Sequence, residues 1–409
     1  MKQNLINRKL KTLKFSLLFF IIFSNAQNKW DNHTFIHRDN QQILDGKNNA
    51  VKLNGFNLGG WLMWEGWIWG GGFTKEKIMF EGIEKKIGYT EAANFRDSVY
   101  ANFITESDIK KISEHCFNVV RIPINHTILE EDNIPFIYKN SGWKLLDTIL
   151  EWCEIYNVYA ILDLHAAPGG QASLFTADAD VIDLWSSEKN QNRTVQLWKA
   201  IASRYKNKSI IAGYDLLNEP DIKNNKILID FYKILIENIR TVDKNHLLLI
   251  EGNDYARDFS FFEKILDENM AFEFHLYSWM SSITKPLEKY SLLSQNLNVP
   301  LWCGEWGENT SNTLKKTLKE FNLEKYHISG NAYWTYKKQS KLLQYPCYQC
   351  YNGTKLWNKT IKWIDNKNNS EPTIEEIKIG LSEFLTNIKS KNTLWNKNLN
   401  DILQNCKNN

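Results

Sequence analysis

Eight short apolar runs rich in β-formers recur along the chain, with helix-like stretches between them. That repetition constrains the fold more than any single residue does. The runs are 51–58 "VKLNGFNL", 117–125 "FNVVRIPIN", 159–165 "YAILDLH", 211–219 "IAGYDLLNE", 246–252 "HLLLIEG", 271–277 "AFEFHLY", 300–306 "PLWCGEW" and 330–336 "GNAYWTY". Thr105 to Asp108 gives a capping-box pattern ahead of "IKKISEHC", the layout that satisfies the open donors of a helix start. "GWKLLDTILEWCEIYN" puts Leu145, Leu146, Ile149, Leu150 and Cys153 on one helical stripe. Strand and helix alternating in this way predict an α/β fold, a parallel (β/α)₈ TIM barrel. An open doubly wound sheet would normally show a glycine-rich phosphate loop, and neither GxGxxG nor GxxxxGKS/T occurs.

The rest of the chain is read around that barrel. Lys2, Arg8, Lys9, Lys11 and Lys14 precede an uncharged apolar run, Phe15 to Phe23, and small residues then surround Ala26. This is the pattern of a secretory signal peptide, and the run falls well short of the roughly 20 residues a spanning helix needs. Residues 1–26 are expected to be removed and the protein to be secreted with no membrane span. Residues 27–390 are expected to form the barrel domain, and 391–409 a mobile polar tail. Turn signals at Asp39-Asn40 and Asp45-Gly46 predict an N-terminal hairpin over the barrel floor. Two long excursions, 59–104 and 337–371, leave from carboxyl ends of strands, the face where barrel active sites lie.

Fifty Lys and Arg against 47 Asp and Glu give a net charge of +3, which suggests neither nucleic acid nor an anionic membrane as partner. Cys347 and Cys350 form a C-x-x-C without the second pair of a zinc ribbon. No metal or cofactor is expected. Cys116, Cys153 and Cys303 sit in apolar stretches and read as buried thiols.

A barrel strand buries its apolar part and opens its carboxyl end into a cup, so a polar tip on an apolar strand marks a candidate catalytic group. Arg121 lies on the second run, His165 on the third, and Asn218 and Glu219 on the fourth. The sixth offers His275 and Tyr277, two apart and so on one face; the seventh offers Glu305 and the eighth Trp334. Two carboxyls among Arg, His and Tyr suit cleavage of a glycosidic bond, where one carboxyl donates a proton and the other attacks or activates water. Arg121 and Tyr277 are expected to hold Glu305 ionised, and a partly dry pocket beside an anion to keep Glu219 protonated near neutral pH. Trp334 and some of the loop tryptophans of "GGWLMWEGWIWGGGF" offer faces for sugar rings.

The set Arg121, His165, "NEP" at 218–220, His275-x-Tyr277, Glu305 and Trp334 resembles the cellulase-type glycoside hydrolases of family five, over roughly residues 51–336. The resemblance implies a retaining mechanism with Glu219 as acid/base and Glu305 as nucleophile. It further implies that Asn218 binds the 2-hydroxyl at the cleavage point, that His275 supports the acid/base, and that Tyr277 and Arg121 steady the nucleophile. "GFNLGGWL" and "DLHAAPGGQ" resemble the exo-β-1,3-glucanase branch, whereas "RIPINHTIL", "GEWGEN" and "HLYSWM" depart from it. A polysaccharide or oligosaccharide substrate is expected, a β-glucan with β-1,3 or β-1,6 ahead of β-1,4. A β-mannan, a glucosylated lipid or a non-catalytic sugar-binding barrel are the alternatives.

Overall fold

The computed structural model describes residues 35–173, 175–278, 282–340 and 346–403. The expected leader, 1–26, lies outside the described residues. Strands β1 (His37–Asp39) and β2 (Gln42–Leu44) pair antiparallel. Strands β3 (Leu53–Asn57) and β4 (Val119–Asn125) follow, and then a short antiparallel ribbon, β5 (Glu130–Glu131) with β6 (Ile134–Tyr138). Next come β7 (Tyr159–Ala166), β8 (Ile211–Asp215), β9 (Leu247–Glu251), β10 (Met270–Leu276), β11 (Leu301–Trp306) and β12 (Ile328–Tyr333). β3, β4 and β7 to β12 close into a barrel of eight parallel strands, β12 returning to pair with β3. After closure, β13 (Lys337–Gln339), β14 (Gln349–Tyr351) and β15 (Leu394–Trp395) form a small separate sheet.

All eight predicted runs hold a barrel strand, and helices fill the intervals. The capping box is present: Thr105 and Asp108 bond each other's backbone at the start of the helix Glu106–Glu114. Two strand ends differ from the reading. The strand of the fourth run stops at Asp215 rather than Glu219, and at Glu219 the backbone takes the left-handed region (φ 46°). The eighth stops at Tyr333, and the Trp334–Thr335 peptide beyond it is cis.

The floor of the barrel is packed by Leu53, Val119, Ile161, Leu247, Ala271 and Trp302, with Ile36 and Ile43 of the hairpin region buried among them. Each buried isoleucine contributes about 1.5–3 kcal/mol. The hairpin therefore plugs the end opposite the cup, and Arg38 fixes it there by donating Nη1–H to the Asn298 carbonyl at 2.7 Å.

The two excursions pack on each other rather than standing free. Trp69 lies 4.7 Å from Phe384 and Trp357 stacks on Phe384 at 4.2 Å, while Trp64 lies 4.5 Å from Trp69. Such pairs contribute about 0.5–1.5 kcal/mol each beyond area burial. Trp61, Trp64 and Trp69 are thus buried in the core and offer no face to a sugar. Trp67 alone of that segment's four lines the cup.

Two further expectations are corrected. Residues 391–409 do not behave as a free tail as far as Leu403: β15 pairs with β14, Trp395 stacks on His115 at 4.7 Å, and Leu399 and Leu403 are buried. Cys116 is disulfide-bonded rather than a buried thiol; it sits exposed in the turn before β4. Cys153 and Cys303 are free and buried, and Cys347 is bonded to Cys350. Among the described residues no helix is long and apolar enough to cross a membrane.

Candidate active site

At the carboxyl ends of the strands lies a cup of about 350 Å³ lined by His165, Glu219, His275, Tyr277, Glu305 and Trp334, among others. Six of the eight expected residues therefore meet in one cavity. Arg121 and Asn218 lie in its wall, fully buried. Arg121 is no strand tip: it is the third residue of β4 and points into the barrel interior beneath the cup.

Arg121 organises that interior. Its Nη1 donates to Glu305 Oε1 at 2.8 Å and to Asn57 Oδ1 at 3.0 Å. Nη2 donates to Asp215 Oδ2 at 2.7 Å and to Asn218 Oδ1 at 2.9 Å. Asp163 and Glu251 lie 3.1 Å from Nη2, and Glu273 lies 2.9 Å from Nε. The other Glu305 oxygen accepts the Tyr277 hydroxyl at 3.0 Å. Gly304 is required for this packing, since a Cβ there would meet Glu273 Oε1 at 1.7 Å.

Glu219 sits across the cup. His275 Nδ1 is 2.9 Å from its Oε1 and 3.6 Å from Glu305 Oε2. The nearest ligating atoms of Glu219, His275 and Glu305 all lie within 4.8 Å of one another. His165 donates Nδ1–H to Asp163 Oδ2 at 2.7 Å, which leaves Nε2 facing the Asn218 amide at 3.4 Å. Trp334 stacks on His165 with an interplanar angle of 9°. Gln171 ties this wall together, donating to the carbonyls of His165 at 2.7 Å and Asn218 at 2.8 Å.

The charge distribution departs from the sequence reading in one respect. Burial pushes the Glu219 carboxyl up, but the hydrogen bond and charge of His275 outweigh it, and its pKa lies below the ordinary value. Glu219 is thus not held protonated on its own. Burial also works against a charge on His275, yet Glu251, Glu305 and Glu219 around it raise its pKa well above the usual histidine range. The proton expected on Glu219 resides on its hydrogen-bonded partner. His165 is driven the other way, down to about 3, by burial. Burial raises Asp163, Asp215 and Glu273 to about 7 although Arg121 pulls each down.

Several residues of the site escaped the sequence reading. Glu65 lines the cup, accepts Trp67 Nε1–H at 2.5 Å, and is raised to about 8 by burial. Asp163 and Glu273 precede His165 and His275 by two, the same-face spacing that picked out Tyr277. Glu251 is the polar tip of "HLLLIEG", the same signal on the fifth run. Two donor sets could hold a cation, Glu219–His275–Glu305 and Glu251–Glu273–His275. Both already contain the positively charged His275, with Arg121 ion-paired to Glu251, Glu273 and Glu305.

The sequence around this site is similar to that of known proteins. The chain is 34% identical over 242 residues to a beta-xylosidase of Phanerodontia chrysosporium, covering 58% of this chain and 50% of that protein. It is 29% identical over 307 residues to endoglucanase C of Acetivibrio thermocellus, covering 60% and 87%. It is also 29% identical over 197 residues to glucan 1,3-beta-glucosidase 1 of Schizosaccharomyces pombe, covering 46% and 47%. The chain thus spans about half the length of the first and third. The family model for cellulase, glycosyl hydrolase family 5, matches residues 80–340, which include every expected site residue, and the chain belongs to that family.

Proposed function

We propose that the protein is a retaining β-glycoside hydrolase acting on a β-glucan, β-1,3 or β-1,6 linked, outside the cytoplasm. The observation that carries the reading is the spacing of Glu219 and Glu305, with oxygens within 4.8 Å of each other. Retaining enzymes place their carboxyls about 5–5.5 Å apart, and inverting ones about 6.5–9.5 Å to admit a water.

In the first step Glu305, bonded to Arg121 and Tyr277, attacks the anomeric carbon. The glycosidic oxygen leaves with a proton from Glu219, supplied to that carboxyl by His275 Nδ1 along the 2.9 Å contact, so that Glu219 is left ionised and His275 neutral. A glycosyl ester on Glu305 results. Glu219 then takes a proton from water, which attacks the same carbon, releases Glu305, and yields net retention. Asn218 and His165 line the wall where the sugar's hydroxyls would lie, and Trp334 supplies a flat face.

The shape of the cup supports action at a chain end. Phe73 and Phe175 meet at 5.2 Å over its rim, and Lys75 pairs with Asp180 at 2.5 Å to join the same two loops. The likeness to a glucan 1,3-beta-glucosidase supports the β-1,3 linkage. The 87% coverage of endoglucanase C makes β-1,4-glucan the second reading. Export rests on the amino-terminal sequence pattern alone.

The test is a product profile on laminarin, pustulan, barley β-glucan, carboxymethyl cellulose and mannan, with wild type and Glu305→Ala side by side. Glucose from a β-1,3 or β-1,6 polymer, first seen by NMR as the β-anomer and absent in the mutant, is the expected result. Mixed oligosaccharides would replace the chain-end assignment by internal cleavage. Binding without any release would make the protein a sugar-binding barrel.

A further inference from the structure

Glu251, at the end of β9, touches both halves of the candidate machinery without lining the cup. It is fully buried. Its Oε2 accepts the backbone N–H of Glu219 at 2.5 Å. Its Oε1 accepts Arg121 Nη2–H at 3.1 Å and lies 3.3 Å from His275 Nε2. One carboxyl group thereby grips the main chain of the proposed acid/base, the imidazole bonded to that residue's side chain, and the guanidinium bonded to the proposed nucleophile.

Each contact has a physical consequence. Glu219 is held with φ 46°, a left-handed conformation that is unfavourable for a non-glycine residue, and its own N–H is bonded to the Glu251 side chain. His275 has carboxylate oxygens at both ring nitrogens: Glu219 at 2.9 Å and Glu251 at 3.3 Å. A neutral imidazole has one N–H and can serve only one of them; an imidazolium serves both.

We propose that Glu251 is a positioning residue that sets the proton affinity of the Glu219–His275 pair and fixes the direction of the Glu219 carboxyl, so that removing it impairs proton donation to the leaving group. The proposal rests on the assignment of Glu219 as acid/base. It adds a residue that the expected site set had not included. The groups facing Glu251 are Glu219, His275 and Glu273, Asp215 on β8, and Arg121 on β4. Tyr232, on the helix Asn225–Arg240, donates its hydroxyl to the Glu251 carbonyl at 3.0 Å. Among these only Arg121 and His275 are cationic; burial raises the Glu251 carboxyl itself well above the usual range against the pull of His275, and loss of that carboxyl withdraws from His275 the oxygen 3.3 Å from Nε2. The pair then releases its proton at lower pH.

The experiment uses Glu251→Gln in the full chain, with aryl β-glucosides of graded leaving-group acidity. The expected result is a loss on the order of 10²-fold in kcat/KM for poor leaving groups, the scale of general acid catalysis. Dinitrophenyl glucoside should lose little, and the alkaline limb of the pH profile should move to lower pH. Glu251→Asp, which restores a carboxyl, should recover part of the limb. An equal loss on every leaving group with an unmoved limb would overturn the proposal. Wild-type imidazole ¹⁵N shifts give a second reading independent of the variants. Both His275 nitrogens should be protonated at pH 7.5, and a neutral ring would overturn the proposal even if Glu251→Gln fails to fold. If wild type cleaves none of the glucosides, the hydrolase reading fails, while the imidazole measurement still decides the Glu251–His275 contact.

Discussion

Arg121 Nη1 donates to Glu305 Oε1 at 2.8 Å, joining the second strand of the barrel to the seventh across its interior. The guanidinium is wholly buried and also bonded to Asp215 and Asn218 and ion-paired with Asp163, Glu251 and Glu273. Removing one partner of such a buried network costs about 3–5 kcal/mol, because the remaining acids stay buried without their counterpart. Arg121→Met should therefore lower Tm by roughly 4–6 °C as well as abolish turnover. Thermal unfolding at pH 7 checks this; an unchanged Tm would show that the acids are neutral without Arg121.

Glu305→Ala should behave differently, because Glu305 faces the cup and its two partners, Arg121 Nη1 and the Tyr277 hydroxyl, can then be solvated. Turnover should fall by about 10³-fold or more with little change in Tm. Azide should restore part of the activity and give product of the opposite anomer, read by NMR. Activity persisting without azide would remove Glu305 from the mechanism.

Glu65 carries its proton at neutral pH, since burial raises its pKa to about 8. A glutamine matches a protonated carboxyl in shape and in having both donor and acceptor. Glu65→Gln should keep kcat/KM within about fivefold at pH 7, whereas Glu65→Ala, which also strands the Trp67 indole N–H, should lose more than about tenfold. Equal losses from both would mean that the ionised form is needed.

The depressed pKa of His165, about 3 under burial, ties it to acid stability. In the unfolded chain the ring takes up a proton as pH falls through about 6.5, and in the fold it does not. Its contribution is therefore intact above that value and is lost progressively below it, down to the folded pKa. The His165 ring signals should not titrate between pH 8 and 5 by NMR. A midpoint near 6.5 would place the ring in water and break the stacking on Trp334.

Much of this protein was legible without coordinates. A barrel strand is buried on both faces, so it must be apolar until it reaches the cup; the eight runs and the polar tips at His165, His275 and Glu305 followed from that requirement alone. What failed was whatever depended on a neighbour distant in sequence. Nothing local told which loop tryptophans are covered: Trp69 packs against Phe384 and Trp357, some three hundred residues on, and Trp64 against Trp69. Arg121 read as a tip because its burial is made possible only by acids from β7, β8, β9, β10 and β11 converging on it.

The amino-acid order thus determined the strand count, the barrel and the pair of carboxyls, since local apolar patterning and turn chemistry act over a few residues. Only the tertiary structure decided where the proton of the Glu219–His275 pair resides and that Glu251 grips both. Proton affinity is set by burial and by charges within a few ångströms, and those charges come from strands that only barrel closure brings together.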